Sequence, residues 1–224
     1  MTSPSSREDR PLPSSDFRAL PGRGLRCAVH LAALAPLLWL FHAVPRGALG
    51  GDPVQELIHF LGIGALRLLL LTLAVSPLAG GLRARGWRAG PLPTLRRPLG
   101  LWCFAWACLH FAAWLSLDLA FAWPLIGGEL VKRTYILAGF SAWLMLAALA
   151  LTSIPAWVRR LGRRWKQLHR LVYPAVLLAC LHFWWSLKSG WVEPAIYVAL
   201  ALGLLWFRRG IFLPGRARRP AAGE

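Results

Sequence analysis

The chain is short of acid, of paired cysteines and of any motif typical of a soluble enzyme, and each shortage excludes something. Asp and Glu together number 9 against 26 Lys and Arg. The four cysteines, Cys27, Cys103, Cys108 and Cys180, form no CxxC pair, which argues against a zinc or disulfide framework and for packing roles. No Gly-x-Gly-x-x-Gly follows a strand pattern, so no nucleotide-binding domain is recognisable. Residues 1–24 are rich in Pro, Ser and Arg but hold no apolar run of the kind a cleavable secretory signal needs. They read as a mobile cytoplasmic tail. No internal repeat is visible.

What the chain does have is apolar length. Of its 224 residues 57% are hydrophobic and 13 are Trp, with a mean hydropathy of +0.50. Runs of about 20 apolar residues match the roughly 30 Å hydrocarbon core of a bilayer. The expectation is an all-α integral membrane protein, a bundle of six helices near 25–44, 54–78, 98–119, 135–154, 167–187 and 191–207. Residues 25–208 form the membrane domain and 209–224 a basic cytoplasmic tail, which leaves no soluble domain.

The net charge of +17 raises the question of nucleic acid, but its distribution answers otherwise. Twenty basic residues lie before the first helix, between the second and third, between the fourth and fifth, or after the sixth, against Arg46, Lys132, Arg133 and Lys188 in the alternate loops. That asymmetry places both termini in the cytoplasm. Contact with anionic lipid headgroups accounts for the basic loops without nucleic acid.

The six histidines are the most informative polar residues. His110 and His182 sit inside two different apolar segments, where an ionisable side chain is costly and faces the bundle interior as ligand or relay. Neutral imidazole is a standard axial ligand of haem iron, so a facing pair suggests bis-histidine ligation of a b-type haem. Arg96 precedes His110 by 14 residues and His169 precedes His182 by 13, roughly 20 Å along each helix. Two levels result, Arg96 with His169 inside and His110 with His182 outside. Residues 13 apart on an ideal helix are about 140° out of phase, so His169 and His182 share a face only if the helix bends or unwinds. Pro174 supplies a cause for that.

Arg67, near the middle of the second helix, carries an insertion cost of about 2.5–3.5 kcal/mol and calls for a partner inside the bundle. A haem propionate, a flavin phosphate or a quinone carbonyl would serve, and so would snorkelling or pairing with backbone carbonyls. His59 lies near the outer level, where it bonds a propionate or stands in as a ligand. His30 and His42, near the two ends of the first helix, reach the interface and need no cofactor.

These residues resemble the ferric reductase-like transmembrane family, whose bundles carry histidines at this kind of spacing on two outward-running helices. The stretches DPVQELIHFLGIGAL, LLTLAVSPLA, RRPLGLWCFAWACLHF, ELVKRTYILAG, LALTSIPAWVRRLGRRWKQLHRLVYP and HFWWSLK are similar to its small bacterial branch of haem-binding subunits, over roughly residues 25–208. The resemblance implies a b-type haem on His110 and His182, with a second haem, involving His169, or flavin mononucleotide (FMN) nearer the cytoplasm. It implies electron delivery, in a bacterial inner membrane, to a periplasmic molybdopterin enzyme that reduces methionine sulfoxide in oxidised proteins. The donor is quinol from the respiratory chain or a cytoplasmic flavin reductase. Arg96 stands where the two-haem eukaryotic reductases have an inner histidine. Two other readings compete: a stand-alone haem-dependent metal-ion or quinone reductase, and a small transporter with histidine proton relays.

Overall fold

A computed structural model describes residues 20–87, 89–187 and 190–208, and among these every regular element is helical. The expected tails at 1–24 and 209–224 lie outside the described residues, apart from 20–24. The principal helices are α1 (Leu20–Ala43), α2 (Pro53–Ala84), α3 (Arg96–Ala113), α4 (Trp123–Lys132), α5 (Thr134–Leu151), α6 (Pro155–Leu161), α7 (Arg163–Leu168), α8 (Val172–Ser186) and α9 (Val192–Phe207).

Local chemistry sets the ends of the elements around the site. Asp52 accepts a hydrogen bond from the Gln55 N–H at 3.1 Å and Pro53 opens α2, a side-chain cap followed by a residue whose absent N–H would be unpaired anyway. At the far end, α3 passes into one π-helical turn over Trp114–Asp118. Gln55 reaches across to Asp118 at 3.2 Å and ties the start of α2 to that turn. Between α7 and α8 the chain tightens into a 3-10 turn at His169–Leu171. Pro174 lacks the N–H that would bond the Arg170 carbonyl, which accounts for a break at this point.

Four helical stretches, Gly22–Arg46, Pro53–Ala84, Leu92–Asp118 and Thr134–Leu151, are long and apolar enough to cross a membrane. Helix α9 is apolar but shorter, at 16 residues. Helix α8 has 15 residues, about 22 Å at 1.5 Å per residue. It is shorter than the expected 167–187 because the 3-10 turn divides that stretch, close to the proline from which a bend or local unwinding was expected. The loop before α5, expected on the outer side, contains α4, a ten-residue helix that the sequence reading did not anticipate.

Helix α2 packs most extensively on α3, and α5 on α8. Leu61, Leu66, Leu69 and Leu73 of α2 meet Cys103 and Trp106 of α3, Val176 and Cys180 of α8, and Ala201 of α9 in one core. Burying each such side chain is worth about 1.5–3 kcal/mol in water, but in a bilayer close packing between helices replaces that drive. Leu31, Phe41, Leu144, Trp206 and Phe207 point outward, as lipid-facing residues do. The cysteines are unpaired, with Cys103 and Cys180 buried.

Candidate functional site

The core of the bundle brings together His110 from α3 and His182 from α8. Their ring centroids lie 6.0 Å apart with the planes at 79°. Each ring is fixed by its Nδ1. That of His110 donates to the Ile58 carbonyl of α2 at 2.8 Å, and that of His182 to the Tyr135 carbonyl of α5 at 2.7 Å. A hydrogen bond from Nδ1 to a main-chain carbonyl selects the tautomer with Nε2 deprotonated, the form in which imidazole binds a metal.

The spacing fits a shared metal atom. Two imidazole nitrogens each about 2 Å from one metal put their ring centroids about 6 Å apart. A bare ion needs more than this pair supplies, since zinc takes three or four protein ligands. Among the described residues no group of three or more His, Cys, Asp or Glu side chains is placed to hold one. Two axial imidazoles alone suit a metal that brings its own equatorial nitrogens, as haem iron does. Nearby, Trp143 stacks on Phe111 at 5.2 Å. Its Nε1–H is buried with no partner among the described residues, a donor open to an acceptor such as a bound group.

The other expected site residues disperse. His59 stands 5.7 Å from the Phe183 ring and lies 3.9 Å from the Glu193 carboxylate. Arg67 donates from Nε to the Tyr197 hydroxyl at 2.8 Å. That is a protein partner from α9, which the sequence did not suggest. Arg96 opens α3, at the opposite end of that helix from His110. His169 stacks on Trp165 at 3.9 Å between ring centroids, with Nδ1 3.2 Å from the Trp165 carbonyl. His30 accepts from the Trp102 indole N–H at 2.8 Å, so packing accounts for it. His42 sits in the last turn of α1.

Sequence reasoning missed the seats of the two histidines. The Ile58 and Tyr135 carbonyls are main-chain atoms with no residue signature. Gly62 and Gly139, which lie against the His110 and His182 rings, had only the weak signal of glycine inside a helix.

The ferric reductase like transmembrane component family matches residues 61–180, more than half of the chain. The protein-methionine-sulfoxide reductase heme-binding subunit MsrQ of Xanthomonas euvesicatoria pv. vesicatoria is 49% identical over 186 residues, covering 80% of this chain and 83% of that protein. The MsrQ subunit of Salmonella paratyphi B is 46% identical over 185 residues, covering 82% and 90%. The chain belongs to the MsrQ family of ferric reductase-like membrane proteins. The family match ends two residues before His182, while the MsrQ relatives are similar over four fifths of the chain.

Proposed function

We propose that the chain is the haem-binding membrane subunit of a protein-methionine-sulfoxide reductase, with His110 and His182 as axial ligands of one b-type haem. One observation carries this reading: two imidazoles from separate helices at 6.0 Å, each with Nδ1 committed to a carbonyl and Nε2 left for metal. The MsrQ relatives, named as haem-binding subunits, support it. Bound there, haem supplies one-electron transfer. The protein holds it at a fixed depth and sets the orientation of both ligands.

In this reading six helices cross a bacterial inner membrane with both termini in the cytoplasm, and the histidine pair lies toward the outer face. Electrons enter from quinol or a cytoplasmic flavin reductase and leave to a periplasmic molybdopterin enzyme, where the sulfoxide is reduced. His169, Arg96 and Arg67 line the inner half of the path, around a quinone, FMN or a second haem. His59 supports the outer site as a propionate partner.

The deciding measurement is a reduced-minus-oxidised spectrum of purified protein with haem and flavin quantified per chain. Replacing His110 or His182 with Ala is expected to abolish the low-spin b-type spectrum, whereas His30→Ala and His42→Ala leave it intact. Unchanged low-spin haem in a chain lacking both His110 and His182 refutes the assignment. A colourless wild-type protein favours the transporter reading.

A further inference from the structure

Each histidine of the pair is seated by the same three parts: a main-chain carbonyl, a glycine four residues on, and the imidazole lying across them. His110 of α3 donates to Ile58 and lies against Gly62 of α2. His182 of α8 donates to Tyr135 and lies against Gly139 of α5. A Cβ on Gly62 would stand 3.0 Å from both Cε1 and Nδ1 of His110. On Gly139 it would stand 2.6 Å from Nδ1, 2.8 Å from Cε1 and 2.9 Å from Cγ of His182.

Real Cβ atoms do not come inside 3.0 Å, so any side chain at position 139 displaces the His182 ring. At position 62 the His110 ring must give by a few tenths of an ångström. The atoms encountered belong to a ring held on one side by its own Cβ and on the other by the Nδ1 hydrogen bond. They are not the loose end of a flexible chain. Helix stability calls for neither glycine, since Gly in a helix interior costs about 0.8–1.0 kcal/mol relative to Ala. Gly80 and Gly81, also in α2, have nothing within 4 Å of an added Cβ.

We propose that Gly62 and Gly139 are positioning residues for the two metal ligands. Their missing side chains let each imidazole approach the neighbouring helix closely enough to donate from Nδ1 and present Nε2 to the metal. The two seats are unequal. Gly139 is indispensable to the placement of His182, and Gly62 tunes that of His110. This inference rests on the reading of His110 and His182 as axial ligands.

The experiment compares wild type with Gly139→Ala, Gly62→Ala, Gly80→Ala and His182→Ala as full-length protein purified from haem-supplied cells. Haem per chain, the midpoint potential and the ferric electron paramagnetic resonance spectrum are read. The g-anisotropy of that spectrum follows the angle between the imidazole planes. Circular dichroism and gel filtration confirm that each variant is folded. Gly139→Ala is expected to lose at least half its haem or its low-spin signal, approaching His182→Ala. Gly62→Ala keeps its haem with displaced g-values and potential, and Gly80→Ala matches wild type. Wild-type haem content, g-values and potential in Gly139→Ala overturn the inference. If Gly139→Ala does not accumulate, wild-type g-values and potential in Gly62→Ala overturn it instead. Full low-spin haem in His182→Ala sinks the ligand reading itself, a separate failure.

Discussion

Arg208 links three helices at the end of α9, and its removal should expose what a proline in α2 costs. Its Nη2 donates to the Leu73 carbonyl at 2.7 Å and to the Ser76 hydroxyl, and its Nη1 to the Tyr173 hydroxyl at 3.4 Å. In an unbroken helix the Leu73 carbonyl would accept from residue 77, but that residue is Pro77, inside α2, with no N–H to give. A hydrogen bond from a charged donor contributes about 1.5–3 kcal/mol, and a buried carbonyl left without one costs about 1–3 kcal/mol. Set against this, the buried Arg208 Nε has no partner among the described residues, and truncation relieves that penalty of about 1–3 kcal/mol. The net loss for Arg208→Ala is therefore on the order of 1–2 kcal/mol. The cycle with Pro77→Ala is more decisive than the single variant. Restoring an N–H at position 77 lets α2 satisfy Leu73 internally, so Arg208→Ala should cost much less in that background, a coupling of about 1–3 kcal/mol. Reversible unfolding in mixed micelles titrated with sodium dodecyl sulfate, followed by tryptophan fluorescence, measures all four proteins. A coupling below about 0.5 kcal/mol, the range seen for independent sites, would show that Arg208 does not answer the proline.

The same residue shows where sequence reading stops. Arg208 counts in the sequence as one more basic residue after an apolar helix, and nothing local says that it turns back toward α2. Its partner is an orphaned carbonyl 135 residues away. Arg67 is similar: its place in an apolar run reveals the cost of the charge, but the Tyr197 hydroxyl that answers it comes from a helix 130 residues on. His110 and His182 were legible because a polar side chain in an apolar run is conspicuous and imidazole has few uses there. Their seats were not, because a carbonyl looks the same under any side chain and a glycine announces only that a Cβ is missing. Hydropathy located the first four membrane-length helices closely, since their apolar runs are long enough to outweigh a single Arg67 or His110. It ran the end of α7, the 3-10 turn and α8 together over 167–187, while Pro174 by itself marked where that stretch bends or unwinds.

His169→Ala is expected to slow reduction by a quinol analogue while leaving most of the outer haem bound, and a wild-type rate in a stopped-flow experiment would remove His169 from the electron path. The remaining prediction concerns how many times the chain crosses the membrane. A short α8 of 15 residues admits an arrangement in which α8 and α9 enter and return without crossing, and both termini would still share one side. Fusions at the chain ends cannot separate four crossings from six. The turn between α8 and α9 can. His182 lies 6.0 Å from His110, so α8 must reach the depth that α3 reaches about 21 Å beyond Arg96, and Trp191 follows nine residues after His182. From the 3-10 turn at His169 to Ser186 the run is 18 residues, about 27 Å at 1.5 Å per residue and close to the roughly 30 Å of a hydrocarbon core. In a chain whose four native cysteines are replaced by Ser, Trp191→Cys should therefore react with a membrane-impermeant maleimide added outside spheroplasts. Labelling only after the membrane is permeabilised would leave α8 and α9 as a re-entrant pair.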